Sequence, residues 1–319
     1  MTSTSTTMEG ESADRRARRA RRASPRRWII VAGVVILVGA ALGLELRGHR
    51  VPRAAAGALT RPVSVVPGPR GIVSATAPGA AGQSWVLTAT PSASNLQLEN
   101  VSTGSISDIV ATPLHSHTVA QAVGGPMGLG EGVGHAGTVE FLRAGSSKPL
   151  GVVAVSGPVT SLVAGADGVT FYALEDVGAN RAVAVIDSSA LKVTASLPMP
   201  SDAVAIAVDP GQSQIFALGS GGLTSIISIT TGKVISQFPT GASGRALAIS
   251  PDGSTLYVLD GSPVLENVAV VDVATQSIVR YLPAPRYTAA IAASIDNSTL
   301  ADFVGTPSMG NVQLFRTGR

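Results

Sequence analysis

Three histidines are the residues of this chain whose type and spacing best suit metal chemistry. His115 and His117 stand in the tetrapeptide LHSH, and His135 follows in a glycine-rich stretch. In an extended segment, side chains two positions apart share a face. Three neutral imidazoles suit Zn²⁺ or Cu²⁺. The three histidines are therefore the candidate metal ligands, the alternative being that all are ordinary solvated loop residues. We predict no cofactor.

Six other residues are candidates for binding a ligand because they lie in loops between predicted strands, where binding groups are often found. No G-x-S-x-G, H-E-x-x-H or S-x-x-K arrangement accompanies them, so no catalytic residue is predicted. We predict that they bind a ligand at the rim of a central channel, and they are Glu175, Asp202, Arg245, Asp260, Arg286 and Tyr287.

The elements that must position these residues belong to a repeat. GADGVTFYALE (165–175) returns as VDPGQSQIFALG (208–219), as SPDGSTLYVLD (250–260) and, degraded, as SIDNSTLADFV (294–304). Each copy is a turn around an aspartate followed by a short apolar strand. A period of about 40–45 residues built from short strands is typical of β-propeller blades. Turn chemistry, rather than calcium binding, explains the aspartates, because no D-x-D-x-D-G loop accompanies them. They are Asp167, Asp209, Asp252 and Asp296.

The predicted fold class is an all-β, six-bladed β-propeller closed by an N-terminal strand and preceded by one transmembrane helix. A third-strand pattern that recurs six times gives the blade limits 71–112, 113–156, 157–199, 200–241, 242–284 and 285–319. The last copy holds only three strands, so we expect residues 62–67 to supply its outermost strand, since an open sheet edge is a liability. In a propeller, the loops joining fourth to first strands and second to third strands gather at one end of the channel. Both groups of candidate residues fall in such loops.

One stretch does not fit the strand pattern. GGPMGLGEGVGHAG (124–137) is rich in glycine but matches no phosphate-binding motif. We predict a mobile loop over a weakened strand, and its functional version would be a flap over the channel mouth.

The N-terminal residues form three further segments. Residues 1–27, with eight arginines between Arg15 and Arg27, are predicted to be a disordered basic cytoplasmic tail, and residues 28–46 are predicted to be a transmembrane signal anchor. The excess of arginine before the anchor predicts a cytoplasmic N-terminus. We expect residues 47–61 to be a linker and residues 62–319 to form the propeller outside a bacterial cell membrane. A cleaved signal peptide is the alternative for the apolar segment.

Charge and composition limit the classes of partner that we expect for this chain. The chain has no cysteine, which excludes disulfides and thiolate metal sites. The basic charge is concentrated before the domain, and twelve basic residues against sixteen acidic residues remain after residue 53. Nucleic acid is therefore not an expected partner. Membrane lipid is expected through residues 28–46, and anionic headgroups are expected through Arg15–Arg27.

Blade 5, SPDGSTLYVLDGSPVLENVAVVDVATQSIVRYLPAP (250–285), resembles the YVTN-type β-propeller repeat. TLYVLD stands at the Tyr-Val-Thr-Asn-like strand, and VAVVDVATQSIV stands at the next. The resemblance covers roughly 157–284 and implies a YncE-like or surface-layer-like envelope protein, without lending catalytic residues. We therefore predict a membrane-tethered extracytoplasmic module that binds or scaffolds an envelope protein or a small ligand. The alternative is a lactonase-like propeller hydrolase with a channel site, so enzyme activity stays open, with a non-catalytic role favoured.

Overall fold

The computed structural model describes a chain of strands. All described residues belong to one compact unit, Arg53–Arg319. Within them every regular element is a strand, and none is a helix that could span a membrane. The described residues are 64–67, 72–78, 83–90, 93–100, 103, 105–113, 116–133, 135–143, 148–261, 266–293, 299–305 and 310–316.

The first strand, β1 (Ser64–Pro67), precedes five blades of four consecutive antiparallel strands each. Blade 1 contains β2 (Ile72–Pro78), β3 (Gln83–Thr90), β4 (Ala93–Asn100) and β5 (Ile106–Thr112). Blade 2 contains β6 (Ser116–Gln121), β7 (Met127–Val133), β8 (Ala136–Leu142) and β9 (Pro149–Val155). Blade 3 contains β10 (Val159–Ala164), β11 (Thr170–Val177), β12 (Asn180–Asp187) and β13 (Lys192–Met199). Blade 4 contains β14 (Ala203–Val208), β15 (Gln214–Gly219), β16 (Leu223–Ser228) and β17 (Val234–Pro239). Blade 5 contains β18 (Gly244–Ile249), β19 (Thr255–Gly261), β20 (Glu266–Asp272) and β21 (Ser277–Pro283).

The remaining strands form a composite sheet from both ends of the strand-forming region. It contains β22 (Thr288–Ala293), β23 (Thr299–Gly305) and β24 (Gly310–Arg316), and its outermost strand is β1. Ser64 lies opposite Leu314 in the antiparallel β1–β24 pair. β1 falls within 62–67, the segment for which the sequence predicts this position.

The predicted fold class, a six-bladed propeller preceded by a transmembrane helix, is corrected by these findings. The described chain holds five blades of consecutive strands, and the composite sheet takes the place of the sixth copy. The third-strand pattern predicts six copies, but the last copy, which ends in GNVQLFRTGR, has only the three strands β22 to β24 of its own. The helix predicted for 28–46 lies outside the described residues, and no helix of any kind occurs among the described ones.

The first strands line the centre of the molecule. Each of them contacts the first strand of its neighbours on both sides, with β22 lying between β18 and β2. Each also carries a β-bulge near its start, which re-aims one side chain. The residues at these bulges are Ser74, His117, Thr160, Val204, Arg245 and Ala289.

The aromatic residues that recur in the second strands pack between neighbouring sheets. Tyr172 packs in a cluster with Ile206 and Ile215 of blade 4. Tyr257 packs with Phe315 of the composite sheet in the same way. Each blade therefore buries its second strand against the next sheet, and these contacts hold the first strands around the channel.

Residues 127–133 of the glycine-rich stretch form the regular strand β7, so the prediction of a mobile loop there is wrong. A Cβ atom at Gly128 would lie 3.1 Å from the ring of Phe171 in blade 3. At Gly130 it would lie 2.7 Å from Val159, and at Gly132 it would lie 2.5 Å from Pro158. The glycines allow blade 3 to pack directly on the backbone of β7.

The repeated aspartates build turns, as predicted. The Asp167 carboxylate accepts hydrogen bonds from the backbone N–H groups of Val169 and Thr170 at 3.0 and 2.8 Å. Asp209 and Asp252 accept comparable bonds within their own turns. Asp296 lies outside the described residues. These carboxylates shape the turns between first and second strands.

Candidate functional site

A central cavity of about 470 Å³ lies between the first strands of the five blades and of the composite sheet. Its wall consists mainly of alanine, valine, leucine and isoleucine, because the first strands are apolar on both faces. Val204, Leu247, Ile249 and Ala289 are half-buried and face this space. Such a wall suits a small apolar ligand, since ligand pockets are mostly apolar with a few placed polar groups.

The charged side chains among the described residues of the wall are two, and they lie at opposite ends. Arg245 is the second residue of β18, whereas Asp209 follows the last residue of β14. The Asp209 carboxylate is engaged by Ser213 and Gln214 in its turn, at 2.6 to 2.9 Å. The cavity is therefore polarised, with a cation at the mouth where the first strands begin.

The Arg245 guanidinium is held at this mouth. Its Nη1 lies 3.3 Å from Oε1 of Glu266, and its side chain crosses Gly261 so closely that a Cβ there would lie 2.0 Å from Nε. Glu266 also accepts a hydrogen bond from the backbone N–H of Thr288 through Oε2, at 3.3 Å. One carboxylate therefore links Arg245 to the start of β22.

A tight turn precedes β22 at the same mouth. The Thr288 N–H donates to the carbonyl of Pro285 at 3.2 Å, which places Arg286 and Tyr287 at the two central positions. Both side chains are exposed, Tyr287 to 66%. The φ angle of Tyr287 is 70°, a value typical of the glycine-preferring third position of a type II turn.

Two of the predicted rim residues are carboxylates that accept hydrogen bonds from backbone N–H groups. The buried Glu175 carboxylate accepts hydrogen bonds from the backbone N–H groups of Ser156 and Gly157. Asp260 accepts the equivalent pair from Ala242 and Ser243, each at 3.0 Å. Burial raises the pKa of Glu175, and the two N–H donors oppose that rise. Each carboxylate clamps the loop that leads into the first strand of its own blade.

In blade 4 the carboxylate at this position comes from Asp202, which lies in the loop before β14 and not at the end of the second strand. The end of β15 carries Gly219, opposite Ala203. A Cβ atom at Gly219 would lie 2.3 Å from Oδ2 of Asp202, so the aspartate side chain reaches over the glycine from the preceding loop. Asp202 is exposed, but its carboxylate lies on the rim rather than in the cavity wall.

The predicted metal ligands are only partly described. His117 is exposed at the bulge of β6, and His135 is exposed in the turn between β7 and β8. His115 lies outside the described residues. The residues that the structure does describe contain no group of three metal-ligating side chains. Shared ligation by the three histidines stays a prediction.

Two features of the mouth escaped the sequence reading. Glu266, which bridges Arg245 and Thr288, stands in a predicted loop but has no motif around it. The exceptional φ angle of Tyr287 also leaves no trace in residue type. Position in the loops between second and third strands was the one available signal for Glu266.

The fold resembles those of chains in solved structures. A chain of the hydrazine synthase of Kuenenia stuttgartiensis aligns with a TM-score of 0.59 at 14% identity, covering 84% of this chain and 99% of that one. A chain in the crystal structure of a mitotic checkpoint complex aligns with a TM-score of 0.58 at 15% identity, covering 89% and 98%. No family model and no curated protein matches the sequence. At these identities the likeness concerns the fold alone.

Proposed function

We propose that this chain is a binding module whose central cavity takes a small, largely apolar ligand. The observation that carries the proposal is the aliphatic wall of a cavity of about 470 Å³ with one cation at its mouth. Apolar area removed from water contributes roughly 25 cal/mol per Å². A wall built from packed first strands is preformed, so little ordering offsets that gain.

Photolabelling of the full chain tests this proposal directly. Dodecanol carrying a diazirine should label peptides of β14, β18 and β22, identified by mass spectrometry. Ala289→Phe, at the bulge of β22, should fill the cavity and abolish that labelling. Ala195→Phe is the matched control, because Ala195 is exposed on the outer strand β13. Labelling that is equal in both variants, or absent from the first strands, would refute a cavity site.

Membrane tethering outside the cell is the second part of the proposal. The apolar segment 28–46, with eight arginines before it, would hold the chain at a bacterial membrane with residues 1–27 in the cytoplasm. The similarity of blades 3 and 5 to YVTN-type repeats supports an envelope role, with a small ligand or an envelope protein as partner. Anionic lipid headgroups would bind Arg15–Arg27.

A reporter fused after Arg319 that is active only outside the cytoplasm tests this orientation. It should be active in the natural chain. Replacing the eight arginines between Arg15 and Arg27 with serine should lower its activity, since the charge bias is then lost. An inactive reporter on a well-expressed natural chain would contradict an extracytoplasmic propeller.

A further inference from the structure

The cavity presents different chemistry at its two ends. The end at Asp209 offers a carboxylate already engaged by its own turn. The end at Arg245 offers a guanidinium whose side chain is 48% exposed. A second cation, Arg286, stands exposed in the turn that leads into the neighbouring first strand. An elongated ligand in the cavity therefore meets positive charge only at one mouth among the described wall and turn residues.

Glu266 holds this mouth together without neutralising it fully. Its two carboxylate oxygens are shared between Arg245 at 3.3 Å and the Thr288 N–H at 3.3 Å. An ion pair at this distance leaves other N–H donors of the guanidinium available, because arginine carries five. Arg286 adds a second cation at this mouth, and the carboxylates of Asp202 and Asp260 lie on the same rim, the latter held by two backbone N–H groups. The free guanidinium donors, rather than a net positive charge, are therefore what can bind a further negative group.

The turn at Tyr287 is built against the local preference of the backbone. A bulky residue with φ of 70° is a genuine outlier, and such strain concentrates at ligand-contacting sites. The other described non-glycine residues with positive φ are Leu191, Gln212 and Gln276, each in a strand-connecting turn capped by a preceding aspartate. Tyr287 differs because it is a largely exposed aromatic beside the cavity mouth. The turn therefore places an exposed aromatic ring directly after Arg286 and two residues before Ala289 of the cavity wall.

We propose that the ligand is an amphipathic anion, an apolar chain ending in a carboxylate, whose head binds Arg245 and the Arg286–Tyr287 turn. The inference rests on the proposed cavity function and names its ligand class. The chain would lie along the aliphatic wall, and the carboxylate would accept charge-assisted hydrogen bonds from the guanidinium groups. Tyr287 would cover the first carbons of the chain beside the head.

Competition against the diazirine-bearing dodecanol separates head from tail. Unlabelled dodecanoate, dodecanol and dodecyltrimethylammonium share a tail length and differ in head charge. In the natural full chain, dodecanoate should compete about tenfold better than dodecanol, as expected for a hydrogen-bonded charge. The cationic compound should compete least well.

Variants then assign the preference to the mouth. Arg245→Met and Arg286→Met should each lower the preference for dodecanoate over dodecanol, while labelling by the dodecanol probe persists. Arg245→Lys should retain part of it. Arg181→Met is the matched control, because Arg181 pairs with Asp176 at 3.0 Å in the β11–β12 hairpin. Thermal unfolding of each variant shows that the fold is intact.

The outcomes distinguish the two proposals. If dodecanol labels the cavity but dodecanoate has no advantage, or keeps its advantage in Arg245→Met and Arg286→Met, the anionic ligand class is wrong and the cavity function stands. If no probe labels the first strands, both proposals fail. A loss of preference confined to the mouth variants supports both.

Discussion

At the scale of single residues, Tyr287 adopts an unfavourable backbone conformation beside the proposed site. Its φ of 70° is one that glycine adopts without steric cost, and its ring is mostly exposed. Nothing in the packing of the described core requires a tyrosine there. The conflict is resolved if the ring contributes to binding, since strained residues persist where function requires them.

Tyr287→Gly should therefore stabilise the fold and weaken the site. We expect the free energy of unfolding to rise by about 1 kcal/mol, because the positive φ is no longer penalised. Affinity for dodecanoate should fall. Chemical denaturation and probe competition measure the two effects. Leu191→Gly is the control, since Leu191 also has a positive φ, of 48°, but lies away from the cavity wall. Unchanged affinity in Tyr287→Gly would remove the ring from the site.

Glu99 is the second residue that its surroundings do not explain. It is fully buried, and neither carboxylate oxygen has a hydrogen-bond partner among the residues that the structure describes. Glu99 lies in the third strand of blade 1, next to the β-bulge of the fourth strand. The equivalent third-strand positions of blades 3, 4 and 5 are occupied by Ile186, Ile227 and Val271. Burial raises the pKa of Glu99 from 4.5 to about 7. Blade 1 thus contains a carboxyl group where the other blades contain core.

The raised pKa predicts a stability that depends on pH. The folded state holds the proton of Glu99 more tightly than the unfolded state, so stability falls as pH rises from about 4.5 to 7. The full effect is about 3 kcal/mol, from the 1.36 kcal/mol that each pKa unit represents. Glu99→Gln should flatten this slope in urea denaturation between pH 5 and 8, and Glu99→Ile should raise stability most at pH 8. An identical slope in Glu99→Gln would show that other groups cause it.

At the scale of elements, β7 shows how packing overrides local propensity. Glycine weakens an isolated strand, so the pattern MGLGEGV does not predict one. Every second residue of β7 is a glycine on the face that meets blade 3, and Phe171 and Val159 fill the space. The information needed to recognise this strand lies in the neighbouring blade.

Gly130→Ala should be strongly destabilising for that reason. The added methyl group would lie 2.3 Å from Oγ1 of Thr118 and 2.7 Å from Cγ1 of Val159. Overpacking of this kind costs about 1–3 kcal/mol. Gly221→Ala is the matched control, since nothing lies within 4 Å of its added Cβ. Thermal unfolding of both variants gives the comparison. Equal melting temperatures would show that blade 3 can shift to admit the methyl group without loss of stability.

The loops show what can be read from a single sequence and what cannot. The repeat locates the turn aspartates and the rim, because strand–turn alternation is local. Whether a rim carboxylate also binds a backbone N–H group depends on long-range geometry, so the backbone hydrogen bonds of Glu175 and Asp260 could not be predicted from the sequence. Four of the predicted rim residues are exposed in the structure, namely Asp202, Arg245, Arg286 and Tyr287.

The outermost strands of the blades share a structural feature, a β-bulge. In each of the five blades, the fourth strand carries a β-bulge opposite the third strand. The bulged residues Ile235 and Val279 are 57% and 58% exposed. A bulge twists the strand and interrupts its regular edge, which hinders pairing with another chain. The fourth strands can therefore expose aliphatic side chains without offering a flat strand edge with which another chain could pair.

At the scale of the whole molecule, the composite sheet joins both ends of the strand-forming chain. β1 is separated from β24 by the entire set of blades, yet it completes the sheet between blade 5 and blade 1. The pairing covers Ser64 to Pro67 and satisfies the outer edge of β24. Loss of β1 would expose that edge and weaken the closure on which every inter-blade contact depends.

Deletion of residues 62–68 should accordingly lower the melting temperature of the whole chain by more than about 5 °C, rather than fray one end. The reason is cooperativity: with β24 unpaired on its outer side, the composite sheet packs less firmly against both neighbours. Deletion of the seven residues 54–60, in the predicted linker, is the matched control and should leave the melting temperature unchanged. Hydrogen exchange adds a spatial readout, since protection should fall in β22 to β24 first and then in β18 and β2, which contact β22. Equal melting temperatures for the two deletions would show that the β1–β24 pair contributes nothing to closure.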